Sequence, residues 1–184
     1  MKPSNQISYL AQVHRLRKLA ERAVGRFPVV GHSLHFLNHA ENTTFRVEAK
    51  GGQRYLLRIH RAGYHSPAAI GEELAWLNLL GESRAVAAPR PIKSKSGKFL
   101  ESVVIPGLEG ERHCDLLSWT EGKFIFKSAT PKHLYQLGQL MARLHQSTRK
   151  IKVVHRRYWD ADGLLGKNPK FGPIDGLPGV PAAQ

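Results

Sequence analysis

The chain has 184 residues, 41% hydrophobic and 23% charged, which fits one ordinary domain, or a small domain plus part of a second, with enough apolar material for a core. A single cysteine, Cys114, excludes an intrachain disulfide and a cysteine-built zinc site, and no apolar run approaches the length of a membrane helix. The net charge of +14 favours anionic partners without choosing among nucleic acid, membrane surfaces and phosphorylated ligands, and a solvated basic surface explains it equally well.

Residues 8–24 place Tyr9, Val13, Leu16, Ala20 and Ala23 at helical spacing, with Arg15, Arg17, Lys18 and Arg22 mostly elsewhere on the wheel. This predicts an amphipathic helix lying on another layer, ended by Gly25 and followed by Pro28. A basic amphipathic start also fits an organelle transit peptide, but it has no apolar signal core, so the cytoplasm is the expected compartment. Strand patterns follow at 33–39 (SLHFLNH), 43–49 (TTFRVEA) and 54–60 (RYLLRIH), and Gly51 and Gly52 predict a tight hairpin between the second and third.

The run 66–82 is the clearest helix. Ser66 suits its cap and Pro67 its first turn, and Ile70, Leu74, Leu77 and Gly81 form one stripe with Leu80 beside it. Residues 88–105 predict a hairpin turning at SKSGK, and 114–123 a short buried strand leading into a turn at Gly122. A further helix follows Pro131, striped by Leu134, Leu137, Leu140, Met141 and Leu144. After His155 both periodicities fade into a Pro/Gly-rich loop or tail. Helix, three strands, helix, two or three strands and helix predict an α+β fold, one mainly antiparallel sheet with packed helices.

The third strand poses a question. Tyr55, Leu57 and Ile59 make one apolar face, while Leu56, Arg58 and His60 make the other, with a permanent cation at the centre. The helix that follows offers two acidic partners in GEEL, Glu73 beside the apolar stripe and Glu72 nearer Trp76 and Leu79. A strand cation held by a helix carboxylate can grip nucleotide phosphates, as the strand lysine and helix glutamate of protein kinases do. The plain alternative puts Arg58 on the solvated face of a half-exposed sheet.

In order, ENTTFRVEAKGGQRYLLRIHR, IGEELAWLNLL, APRPI, LLSWTEGK, LGQLMARLHQST and RRYWDADGLLG resemble the phosphotransferase enzyme family that includes aminoglycoside phosphotransferases, from about Leu34 to Gly172. The resemblance implies a protein-kinase-like fold: a small lobe with the N-terminal helix over 1–116, a hinge at 117–122, and the start of a helical second lobe over 123–184. It also implies ATP and magnesium as cofactors and a small-molecule hydroxyl as phosphoryl acceptor. Residue by residue, Asn42 matches the tip of the hairpin over the phosphates. Arg58 matches the phosphate-binding cation, and Glu73 its orienting glutamate, with Glu72 the fallback. The main chain around Leu117, Ser118 and Trp119 matches the adenine-binding hinge, and Leu56 and Leu117 would contact the purine. Arginine at the cation position suits bidentate contact with phosphate oxygens.

The family's catalytic H-G-D-x-x-x-x-N and metal-binding I-D-F-D-like strings are not found. HCD at 113–115 has Thr120 where the asparagine would stand and precedes the hinge match, and PIDG at 173–176 stands in the Pro/Gly-rich tail, so both read as decoys. Asp160 and Asp162 suggest calcium, but no glutamate completes such a loop. The expectation is the front part of a truncated kinase, inactive alone, whose leucine stripe at 134–144 is left open and drives self-association. Two other readings stand beside it. One is a basic nucleic-acid-binding module carried by RKIKVVHRR (149–157) with Tyr158 and Trp159, binding non-specifically. The other is a non-catalytic regulatory lobe that pairs through the leucine stripe.

Overall fold

The computed structural model describes residues 9–83, 86–108, 110–123, 125, 128–148, 151, 154–156 and 160–166, with side chains from His14 onward. The aromatic pair Tyr158–Trp159 and the PIDG string lie outside the described residues. Two compact units are present, Met1–Ile151 and Lys152–Gln184.

The first unit contains α1 (Tyr9–Val24), β1 (His32–His39), β2 (Asn42–Ala49), β3 (Arg54–His60), α2 (Pro67–Ser83), β4 (Leu100–Val103), β5 (Arg112–Ser118) and α3 (Pro131–Thr148). The strands form one antiparallel sheet in the order β1-β2-β3-β5-β4. Gly51 and Gly52 turn the β2–β3 hairpin at φ +114° and +83°, a backbone region that L side chains rarely enter. The α+β architecture expected from the element pattern is the one observed.

Alternation sorts the sheet residues into two layers. Phe45, Val47, Leu57, Ile59, Cys114 and Leu116 join Leu16, Leu19, Ala20, Ala23 and Val24 of α1, with Phe27, in one buried cluster. Leu19 and Val24 belong to the buried stripe of α1 although the predicted stripe omitted them. The helix is thus part of the core. Arg15 and Arg22 donate to the carbonyls of Gly107 and Val104, and Lys95 Nζ bonds the Gly25 carbonyl just past the helix end. The opposite face packs Leu56, Leu117 and Leu100 against Ile70, Leu74 and Leu77 of α2. Ser66 Oγ accepts from Ala69 N–H, as the capping pattern predicts.

Only the second arm of the hairpin expected over 88–105 becomes a strand. The first arm meets β5 through a bridge from Pro91 to Leu117 and a bond from Ile92 N–H to the Leu116 carbonyl. Pro89 and Pro91 have no N–H to give, so a regular ladder cannot form there. The turn at SKSGK is present, closed by Ser94 N–H on the Lys98 carbonyl.

Helix α3 buries none of its residues, and Leu134, Leu137, Leu140 and Met141 are all exposed. In the second unit, α4 (Ala161–Leu165) interrupts what the sequence reads as a loop. Asp160 caps it, accepting from Gly163 N–H at 2.8 Å, a helix-capping role that accounts for this aspartate without calcium.

Cys114 lies in β5 with no solvent exposure, and burial pushes its thiol pKa up. A thiol that is both buried and protonated is a poor nucleophile. Cys114 is therefore expected to resist an aromatic disulfide reagent in the native protein and to react at once in denaturant. Rapid labelling of the folded protein would contradict this packing.

Candidate functional site

The centre of the α2-facing side of the sheet is polar. Arg58 on β3 stands directly opposite Asp115 on β5. Arg58 Nε donates to Asp115 Oδ1 at 2.8 Å and Nη2 donates to Oδ2 at 3.0 Å. Nη1 donates to Oε1 of Glu73 on α2 at 2.6 Å. Asp115 has no exposed surface, whereas the Arg58 and Glu73 side chains keep 13% and 18%. Burial alone would lower the Arg58 pKa, but Asp115 first and Glu73 second more than reverse this, so it is raised and the guanidinium is always charged.

A fourth group joins the cluster. His60 Nε2 lies 2.6 Å from Asp115 Oδ2. An ionised carboxylate only accepts, so the proton is on Nε2. The other ring nitrogen, Nδ1, is buried without a partner, and so is Oδ1 of Asn42, the residue opposite His60 on β2. Of the five guanidinium N–H groups, three go to the two carboxylates, which leaves one each on Nη1 and Nη2 for another acceptor.

The structure brings Arg58 and Glu73 together and places the other residues singled out in the sequence around them. Leu56 and Leu117 are cross-strand partners on the Arg58 face, Leu117 fully packed and Leu56 half-buried. Asn42 opens β2 beside the β1–β2 tip. Ser118 and Trp119 end the ladder, but their N–H groups are taken: Ser118 N–H bonds the Arg90 carbonyl at 2.8 Å, and Trp119 N–H the Arg54 carbonyl at 3.3 Å. An ion pair from Arg54 to Glu121 further ties the segment beyond β5 to the start of β3. A cavity of about 520 Å³ at the β1–β2 tip, lined by Thr43, Ile59, His60, Arg61 and Arg112 among others, includes neither Arg58 nor Glu73.

Sequence reading missed the role of Asp115. HCD was set aside because it fails as a catalytic motif, yet its aspartate is the principal counterion of Arg58. The signal was available: β5 is a buried strand carrying one acid, and a buried acid needs a cation.

The model of the phosphotransferase enzyme family matches residues 33–167. An uncharacterized protein of Deinococcus radiodurans is 30% identical over 133 residues, covering 72% of this chain and 37% of that protein. A homoserine kinase of Parvibaculum lavamentivorans is 26% identical over 125 residues, 67% of this chain and 35% of that one. Among solved structures, a microcompartment-associated aminopropanol kinase superposes with a TM-score of 0.70 at 29% identity, over 85% of this chain and 49% of its own. The amicoumacin kinase hAmiN, solved with AMP-PNP, Ca2+ and Ami, shares the fold with a TM-score of 0.64 at 22% identity, over 78% and 44%. The chain therefore spans between about a third and a half of the length of these proteins.

Removing one partner of a buried pair leaves an uncompensated charge, at a cost of about 3–5 kcal/mol. Asp115→Ala is expected to lose stability in that range in urea unfolding, and Glu73→Ala distinctly less, because Arg58 would keep both bonds to Asp115. Equal losses would mean that the two carboxylates hold Arg58 alike.

Proposed function

Since the chain belongs to the phosphotransferase enzyme family, we propose that it forms the nucleotide-binding part of an ATP-dependent kinase that transfers the γ-phosphoryl group to a small-molecule hydroxyl. The observation that carries this reading is Arg58, a cation clamped by two carboxylates that still has N–H groups on two terminal nitrogens for phosphate oxygens. Similarity to a homoserine kinase and to an aminopropanol kinase supports it.

In this reading Glu73 is one of the two carboxylates that hold Arg58, and Asn42 sits near the phosphates at the β1–β2 tip. Leu56 and Leu117 flank the purine, and residues 117–122 act as the hinge between a small lobe over 1–116 and a helical second lobe that begins at 123. With the Ser118 and Trp119 N–H groups engaged in the sheet, the adenine edge is met by carbonyls of this stretch and by N–H groups past Trp119. Magnesium, when bound in such a kinase, spreads the charge of the transferring phosphoryl group. Among the described residues no group of three or more His, Cys, Asp or Glu side chains could hold a metal. No described helix is long and apolar enough to cross a membrane, and a cytoplasmic location is part of the same proposal.

The exposed leucine row of α3 belongs to the proposal as well: at high concentration the chain self-associates through it. Leu137→Glu with Leu140→Glu should return the protein to a monomer in sedimentation velocity. A wild-type chain that is monomeric at every concentration would refute it.

Nucleotide binding is tested by titrating a fluorescent ATP analogue at moderate salt, where purely electrostatic attraction is screened. Saturable binding is expected, weakened by Arg58→Ala at least about tenfold, which corresponds to about 1.4 kcal/mol. Binding that is abolished by salt, or indifferent to Arg58, would overturn the reading.

A further inference from the structure

Arg58 makes two bonds to Asp115 in the sheet and one to Glu73 on the helix. We propose that Asp115 is the residue that positions the Arg58 guanidinium, that His60 fixes the Asp115 carboxylate, and that Glu73 is an outer strut. What Arg58 is aimed at rests on the nucleotide-binding reading above, but the clamp itself does not.

Three observations carry the inference. First, Asp115 takes the guanidinium side-on, with one carboxylate oxygen on Nε and the other on Nη2. Two parallel bonds fix both the plane and the rotation of the group, whereas the single bond from Nη1 to Glu73 leaves rotation open. Second, Asp115 is a short side chain on a central strand, directly across the ladder from Arg58 and without solvent exposure. Glu73 is a longer side chain on a helix and is partly exposed. Third, His60 Nε2–H bonds Asp115 Oδ2, the same oxygen that accepts from Nη2. His60 is 4% exposed and brings no second bond of its own on Nδ1. Its ring is thus spent on holding the aspartate. The two N–H groups left over, one on each terminal nitrogen, are held in the plane that β5 sets.

The test reads the clamp and its consequence separately, in the full chain. In 15N spectra the Arg58 Nε–H should exchange slowly with solvent. Asp115→Asn should speed that exchange at least about tenfold, the effect of losing one charge-assisted hydrogen bond, while Glu73→Gln should change it far less. With the fluorescent ATP analogue, Asp115→Asn should weaken binding more than Glu73→Gln. His60→Leu should weaken it too, and His60→Gln, which keeps an N–H donor, should restore most of the loss. If Glu73→Gln exceeds Asp115→Asn in exchange, or if Asp115→Asn leaves exchange unchanged, the proposal is overturned. If wild type binds no nucleotide, the functional reading fails and the exchange comparison still decides the clamp. Should Asp115→Asn fail to fold, a through-hydrogen-bond correlation from Arg58 Nε to the Asp115 carboxyl carbon in wild type decides it, and its absence overturns the proposal.

Discussion

A carboxylate with no solvent exposure sits in the middle of a strand, and a guanidinium lies directly across from it. Removing such a group from water costs several kcal/mol, which attraction repays only when the geometry is good and the remaining lone pairs are bonded. Here three of them are, by Arg58 twice and His60 once. The pair also constrains the sheet. Arg58 and Asp115 must stay opposite each other, and a slip of one residue would turn the charges towards the apolar layer built on α1. Buried pairs are often no more stabilising than apolar residues of the same size, so this cluster is better explained by what it holds in place.

The two faces of the sheet divide the labour. The face under α1 is apolar over its centre, with His39, Thr43, Glu101, Arg112 and Ser118 towards its margins. The face under α2 combines a small apolar cluster with the polar cluster at Arg58. A rigid back and a polar front suit a site whose cation must not wander, because the guanidinium is anchored through backbone that is itself fully laddered on both sides.

Much of this was legible beforehand, for local reasons. The strands of the β1–β2–β3 meander announced themselves by alternation, the β2–β3 turn by paired glycines, and α2 by Ser66 and Pro67 at its start. What escaped depended on contacts distant in sequence. Asp115 is 57 residues from Arg58, and no spacing rule links them. Only the chemical oddity of each, a cation in one greasy strand and an acid in another, would have matched them. Leu19 and Val24 escaped because the stripe was drawn too narrowly for a helix that presses deep into a sheet. The arm around Pro91 escaped because strand propensity says nothing of how many ladder bonds two prolines remove. The helical pattern left Glu72 and Glu73 both open as partners of Arg58, and only the family resemblance preferred Glu73, which is the one that bonds it.

The region shared with the family begins at residue 33, yet Leu16, Leu19, Ala20, Ala23, Val24 and Phe27 all come before it. The stretch matched by the family model and the stretch that builds the core are therefore not the same. A boundary drawn at residue 33 would pass through the hydrophobic layer and strip the back of the sheet. In this protein that surface is sealed by a basic helix whose apolar side belongs to the core.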